Sequence, residues 1–255
     1  MNRLWALCIN TFKEAVRDRV LHSILFFAVG VVVLSLALKE VTIGDQAKVV
    51  RSIGQSGIDF FASVIAMFLG ISTIWKELEK KTIYTLLSKP IPRWMFLMGK
   101  YAGLMLTVIV EVVLLAVLYS LLMMVQQSFP PPVFFVSVAL LIVELMLITA
   151  WSILFSSYSA PTTATAFMIA TFCIGHLADD IWLFSNSAET PIFRQMGSFL
   201  YWTLPNFEAL SIREAAIHGR EIPWERVGFA LMYGLSYTMA VLVAATAIFK
   251  RRDIP

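Results

Sequence analysis

The chain has 255 residues, of which 59% are hydrophobic and 15% are charged, so its apolar stretches exceed what the core of one soluble domain could cover. Its net charge of +3 comes from basic residues at the ends of apolar stretches, which excludes a nucleic-acid-binding surface and indicates orientation signals in a membrane. The two cysteines, Cys8 and Cys173, are too few for a disulfide framework or a thiolate metal cluster.

Residues 2–20 show apolar side chains at helical spacing, with charged side chains on the other faces. The residues of the apolar face are Trp5, Ile9, Phe12, Val16 and Val20. This pattern predicts an amphipathic helix that lies flat in the membrane interface. No small-residue cleavage pattern follows the first apolar run, so we expect no cleavable signal peptide.

Apolar stretches long enough to cross a bilayer, which takes about 20 mostly apolar residues, follow along the chain. The six predicted spans are residues 21–39, 58–75, 101–125, 133–155, 161–177 and 227–249. Between the last two spans, dense apolar and aromatic residues predict two short helices on the outer membrane surface, at 193–204 and 207–217. The predicted fold is an all-α membrane protein, a single domain of residues 1–255 with six transmembrane helices.

The basic residues indicate the orientation of these spans. Of the 20 lysines and arginines, 13 lie in the N-terminal stretch, the loop between the second and third spans, and the C-terminal tail, and 7 lie in loops on the other side. Loops rich in lysine and arginine remain in the cytosol, so both termini are predicted to be cytoplasmic.

The cytoplasmic loop at residues 75–100 has its own helical pattern. Ile83, Leu86 and Leu87 stand at i, i+3 and i+4 and therefore share one face. Thr82 is suited to cap the start of a helix, and prolines at positions 90 and 92 end it. The pattern predicts a short amphipathic helix on the cytoplasmic membrane surface.

The same loop carries a family resemblance. The residues concerned are Glu77, Glu79, Thr82, Leu86-Leu87-Ser88-Lys89-Pro90, Arg93 and Gly99-Lys100. In this pattern the chain resembles the permeases of type 2 ATP-binding-cassette (ABC) exporters, although Lys81 stands where that family commonly has glycine. The sequence at Leu204–Phe207 and the basic tail after residue 249 are similar to the family as well.

The resemblance implies a role and partners for the loop. It would be a coupling helix that docks on a separate cytoplasmic ABC ATPase, present in two copies beneath two permease chains that form a homodimer or a heterodimer. The residues implied in coupling are Glu77, Glu79, Lys80, Thr82, Ile83, Leu86, Leu87, Ser88, Lys89, Pro90 and Arg93. The implied location is a bacterial-type cytoplasmic (inner) membrane.

No glycine in the chain opens a phosphate-binding loop of the G-x-x-x-x-G-K-[ST] type. We therefore expect no cofactor on this chain, with ATP and Mg bound by the partner ATPase. An enzyme activity is not expected: the serines at 156–159 and His176 lack the glycine that an oxyanion turn would favour.

Two acidic residues, Glu111 and Glu144, fall deep inside predicted spans. A charge at mid-bilayer costs roughly 2.5 to 3.5 kcal/mol on insertion scales, so each requires a physical reason. Counted from opposite faces, both lie ~15 Å deep. Each is either protonated and hydrogen-bonded to a neighbouring Ser or Thr, or part of a polar substrate or ion path.

A second polar group, His176, Asp179 and Asp180, lies at the outer end of the fifth span. Residues at i, i+3 and i+4 share a helical face, so a metal or proton site is one interpretation. Ordinary polarity of the membrane interface is the preferred one.

Two functions from different classes fit this sequence. The preferred one is the permease subunit of an ATP-driven exporter, and the alternative is a non-transporting membrane scaffold or assembly factor that anchors a cytoplasmic complex. For the loop at 75–100, the corresponding alternative is a solvated basic segment held by anionic lipids.

Overall fold

The computed structural model describes residues 3–41, 46–79, 92–125, 129–187, 190–218 and 221–251, and within these ranges every regular element is helical. The helices are α1 (Arg3–Val16), α2 (Arg19–Val41), α3 (Gln46–Glu79), α4 (Arg93–Val125), α5 (Pro132–Tyr158), α6 (Pro161–His176), α7 (Ala178–Ser187), α8 (Pro191–Thr203), a 3₁₀ turn (Glu208–Leu210), α9 (Arg213–His218) and α10 (Trp224–Arg251). The predicted all-α class is confirmed.

Among the described residues, four helical segments are long and apolar enough to cross a membrane. They are Arg51–Lys76, Arg93–Val125, Pro132–Tyr158 and Trp224–Lys250. The pair α6 and α7, bent by 65° at Leu177, gives a fifth if it is one span, and the apolar part of α2 is the shorter run Leu21–Val31. The chain is thus a multi-pass membrane protein, and the count of six spans stays a prediction.

Two parallel helices, α3 and α5, form the centre of the bundle. Gln55 donates a 2.6 Å hydrogen bond to the Ser137 hydroxyl in the N-terminal part of both helices. Further along, a Cβ at Gly70 would lie 2.4 Å from the Cβ of Ser152, so only glycine permits this approach. Close contact through small residues drives helix association in lipid, where burial of apolar area between helices gains little.

Helix α1 packs on the N-terminal part of α4 through a face that the sequence did not predict. Leu7 and Thr11 are buried, whereas Trp5 of the predicted apolar face is 52% exposed. A Cβ at Gly99 would lie 2.7 Å from Leu7, and one at Gly103 only 2.5 Å from the Cys8 carbonyl oxygen. Helix α1 therefore packs on Gly99 and Gly103 of α4, and its face with Trp5 can contact lipid.

Several boundaries differ from those predicted, the largest at α3, which begins at Gln46 rather than at residue 58. The amphipathic helix ends at Val16 rather than at residue 20, and α2 begins at Arg19. Helix α4 begins at Arg93, eight residues before the predicted span, because helical hydrogen bonding continues below the apolar run. Two short outer helices were predicted, whereas the region holds α7, α8, the 3₁₀ turn and α9.

The segment between α6 and α10 folds back on itself. A Cβ at Gly197 of α8 would lie 2.3 Å from the Cβ of Ser185 on α7, and the Ser185 hydroxyl donates to the Arg194 carbonyl at 3.0 Å. Several large apolar side chains on this hairpin point outward, with Phe184 73% and Trp202 77% exposed. Such side chains are suited to lie in the membrane interface.

Candidate functional site

The predicted coupling segment lies between the end of α3 and the start of α4. Glu77 and Glu79 are in the last turn of α3, and Arg93 is the first residue of α4. The other predicted coupling residues fall outside the described residues: Lys80, Thr82, Ile83, Leu86, Leu87, Ser88, Lys89 and Pro90. The structure therefore describes the two helix ends that flank the segment, which we call its α3 stem and its α4 stem.

Both stems are ion-paired to the same short stretch, the end of α1 and the turn after it. On the α3 side, the Lys76 ammonium group pairs with the Asp18 carboxylate. On the α4 side, the Lys100 ammonium group lies 3.3 Å from the Glu14 carboxylate. Lys100 is only 1% exposed and also lies 6.0 Å from the ring centre of Phe96. A buried cation of this kind requires a counter-charge, so Glu14 is a structural requirement of the α4 stem.

Arg93 connects the α4 stem to the last helix of the chain. Its guanidinium donates to the carbonyl oxygens of Phe249 at 3.3 Å and Lys250 at 2.9 Å. These carbonyls are at the end of α10, where helix carbonyls lack intrahelical partners and the helix dipole favours a cation. The rings of Phe96 and Phe249 stack beside this contact, 6.0 Å apart. The family pattern pointed to Arg93 in coupling, but no sequence signal named α10 as its partner.

An apolar groove of about 720 Å³ lies between α2, α3 and α6. Its lining includes Ile24, Phe60, Met67, Ile71, Met168 and Phe172. Trp75 and Lys76 line the end of the groove that lies next to the α3 stem of the predicted coupling segment. We refer to it as the α2–α3–α6 groove. Its lining can take an apolar or amphiphilic molecule, or the apolar face of another helix.

The two acids of the spans are in different environments. Glu144 on α5 is bound by a histidine rather than by Ser or Thr: its Oε1 lies 3.2 Å from Nε2 of His176 on α6. Both carboxylate oxygens of Glu111 on α4 are buried and have no hydrogen-bond partner within the described ranges. No hydrogen bond joins Glu111 to Glu144 among the described residues, and a common substrate path for the two acids stays a prediction.

His176, Asp179 and Asp180 do not converge on one point. The bend at Leu177 separates His176 from the two aspartates, and Asp179 accepts a 2.7 Å hydrogen bond from the Asn206 side chain. Among the residues described, no group of three or more His, Cys, Asp or Glu side chains could hold a metal ion. The sequence interpretation of a metal or proton site required these three residues to share one helical face. They do not share it, because the helix bends at Leu177.

The polar residues that the sequence analysis missed lie around His176. Arg213 on α9 approaches Asp59 on α3 with 3.9 Å between nitrogen and oxygen. The Asn206 backbone N–H donates to the Tyr233 hydroxyl at 2.9 Å, which fixes the segment after α8 against α10. Asp59 lies within an apolar stretch of the sequence. A charged residue in such a stretch was the one sequence signal that could have indicated a buried polar contact there.

Burial also affects the first cysteine. Cys8 is 4% exposed, at the contact of α1 with α4. Removal from water raises the pKa of its thiol, so Cys8 is a packing residue with low reactivity.

Comparison with known proteins adds the family. The family model described as "ABC-2 family transporter protein" matches residues 5–254, which takes in all the helices described above except the first two residues of α1. A search of curated proteins gives no match. Since the match covers nearly the whole chain, the chain belongs to the ABC-2 family of transporter proteins.

Proposed function

We propose that this chain is the permease subunit of an ATP-driven exporter, a single domain of six spans with both termini in the cytoplasm of a bacterial-type cell. ATP and Mg are bound by a separate cytoplasmic ABC ATPase, present in two copies. The family match supports transport, and the attachment of both coupling stems to α1, through Lys76–Asp18 and Lys100–Glu14, is the observation that favours mechanical coupling.

In this proposal the segment between α3 and α4 docks on the ATPase. The apolar face of Ile83, Leu86 and Leu87 fills a groove on the motor, because desolvated apolar anchors carry most of the energy of such contacts. The charged residues around this face set its register through ion pairs. They are Glu77, Glu79, Lys80, Lys89 and Arg93, with Thr82 and Ser88–Pro90 shaping the helix ends.

Movement of the docked segment would pass to four helices at once. The Lys76 and Lys100 pairs connect α3 and α4 to α1, and Arg93 connects α4 to the end of α10. A displacement imposed by ATP-driven closure of the two motors would therefore move α1, α3, α4 and α10 together. Packed helices transmit such shifts because protein interiors deform little.

We place the substrate route at the α2–α3–α6 groove, completed by the same groove of a second permease chain. The apolar lining favours an apolar or amphiphilic cargo. The cytoplasmic end of the groove, at Trp75 and Lys76, adjoins the coupling stem, so a movement of α3 would change the groove width directly.

The test is co-reconstitution of the chain and its ATPase in liposomes. We expect the Leu86→Asp variant to insert normally but to lose stimulated ATP hydrolysis, and Leu86→Met, which keeps an apolar side chain, to behave like the wild type. Normal stimulation by Leu86→Asp would contradict the docking role. Co-purification of an ATPase without flux of any cargo would favour the scaffold alternative over export.

A further inference from the structure

The pair Glu144–His176 joins α5 to the outer end of α6. Oε1 of Glu144 lies 3.2 Å from Nε2 of His176, with the two side chains 8% and 35% exposed. Neither the family match nor the coupling proposal assigns a role to this pair. It also differs from the three-residue cluster considered from the sequence, because its acid comes from another helix.

The hydrogen bonds of His176 determine how many protons the pair holds. Nδ1 lies 3.1 Å from the Phe172 carbonyl oxygen, and a carbonyl only accepts, so Nδ1 carries a hydrogen. Nε2 then faces a carboxylate oxygen, and that contact requires a second hydrogen, on Nε2 or on Glu144. In both arrangements the pair holds one proton more than a neutral imidazole beside a carboxylate.

The charges around the pair favour keeping this proton. Asp59 on α3 and Glu208 in the 3₁₀ turn are acids that interact with His176, while Arg213 on α9 lies 3.9 Å from Asp59 and offsets part of its charge. Beyond the bend, Asp179 is hydrogen-bonded to Asn206, which in turn is bound to Tyr233 of α10. Low dielectric around buried groups strengthens the shared hydrogen bond.

The pair lies at a mechanical junction. His176 is the last residue of α6, directly before the 65° bend at Leu177. The Gly175 carbonyl accepts a 3.0 Å hydrogen bond from the Phe207 backbone N–H, and the His176 and Phe207 rings are 5.3 Å apart. A Cβ at Gly175 would lie 2.5 Å from the Phe207 ring, so the segment after α8 is seated on this end of α6.

We propose that Glu144 and His176 form a proton-binding site that holds the outer end of α6 against α5, together with residues 205–209, which pack on that end. We call this arrangement the fastened state. Loss of the shared proton leaves an imidazole lone pair that faces either the Glu144 carboxylate or the Phe172 carbonyl, and the hydrogen bond of His176 to Glu144 is lost or loses its charge. Because the fastened state binds a proton that the released state lacks, it is favoured as the pH falls and lost as the pH rises. This site does not depend on ATP coupling.

The first experiment is a pH titration of the histidine ring signals by NMR, with the isotope-labelled full chain in nanodiscs. His22 and His218 are internal controls, because each has Nδ1 against the carbonyl four residues before it, at 2.7 and 3.0 Å, as His176 does. Only His176 has a described ion-pair contact with an acid. We expect Glu144→Gln to lower the proton affinity of His176 at least about tenfold and to leave the other two unchanged. Equal titration of His176 in the wild type and in Glu144→Gln would overturn the proposal.

The second experiment measures the fastening itself by amide hydrogen exchange, corrected for the intrinsic effect of pH. In the wild type we expect protection of residues 173–179 and 205–209 to fall as the pH rises. In Glu144→Gln the amide can bond to His176 without a titrating proton, so protection should be independent of pH. Asp59→Asn, which leaves the pair in place, should keep the pH dependence and move its midpoint. A pH-independent wild type would overturn the proposal even if His176 titrates as expected.

Discussion

The ammonium group of Lys100 on α4 is almost completely buried and lies 3.3 Å from the carboxylate of Glu14 on α1. The two residues are separated by 86 positions in the sequence. The pair is the attachment of the amphipathic N-terminal helix to one stem of the coupling segment.

We expect Glu14→Gln to destabilise the protein by about 1–2 kcal/mol, less than for a fully buried pair because Glu14 is partly exposed. The exchange of both charges, Glu14→Lys with Lys100→Glu, should recover part of the loss. Thermal unfolding in detergent measures this, with Lys13→Gln on the exposed side of α1 as the control. Additive effects of the two single changes would show that the groups do not interact.

Helix α1 should be displaced by a single methyl group on α4. We expect Gly103→Ala to cost about 1–3 kcal/mol, because its Cβ would overlap the Cys8 carbonyl and the Thr11 side chain. Gly228 on α10 is the matched control, since a Cβ there meets nothing within 4 Å. Gly228→Ala should be neutral, or stabilising by up to about 1 kcal/mol through helix propensity. Equal unfolding temperatures of the Gly103→Ala and Gly228→Ala variants would contradict this packing of α1 on α4.

The two buried acids should respond in opposite ways to an apolar replacement. Glu111 has no hydrogen-bond partner within the described chain, so Glu111→Leu should raise stability by about 1–3 kcal/mol, the cost of a buried polar group without a partner. Glu144→Leu should lower stability because it leaves His176 without its acid. Chemical unfolding of both variants in the same lipid measures this difference. A loss of stability in Glu111→Leu would indicate an unrecognised partner.

Measuring transport by the Glu111→Gln and Glu144→Gln variants distinguishes a structural role of Glu111 and Glu144 from a role in the substrate path. If either side chain lines the route, Glu111→Gln or Glu144→Gln should change the flux rate without loss of folded protein. Unchanged flux in both variants would remove these two acids from the route, and the α2–α3–α6 groove alone would remain as its proposed location.

The second permease chain should approach through the α2–α3–α6 groove. Ile169 lines this groove and is 51% exposed, so Ile169→Cys in a background with Cys8→Ala and Cys173→Ala should form a disulfide between two copies. Val243 on α10 is 63% exposed but lies outside the groove, and Val243→Cys is the control. Gel electrophoresis without reductant gives the result. Equal cross-linking at both positions would place the interface elsewhere.

The sequence predicted the spans better than it predicted their packing, for a physical reason. Apolar runs report which residues avoid water, so α4 and α5 were found at nearly their full length. In lipid, however, a side chain that faces the bilayer is as apolar as one that faces another helix, and periodicity cannot separate the two. The seat of α1 on Gly99 and Gly103 was therefore missed.

The polar site was predicted in part for a similar reason. A buried charge such as Glu144 is conspicuous in an apolar run, but its partner depends on the fold: His176 lies 32 residues further along the chain, on the next helix. The bend that separates His176 from Asp179 falls at Leu177, with neither proline nor glycine at that residue to signal it. Local sequence therefore gave the members of the site but not their connections.

The hydrogen bonds from Arg93 to the last carbonyls of α10 have a practical consequence for the design of a tagged form of this transporter. A fluorescent protein or affinity handle joined after α10 would emerge beside the first turn of α4, on the surface proposed for the motor. Such a label would compete with the ATPase for space, and the resulting loss of activity would be mistaken for a defect in the permease itself.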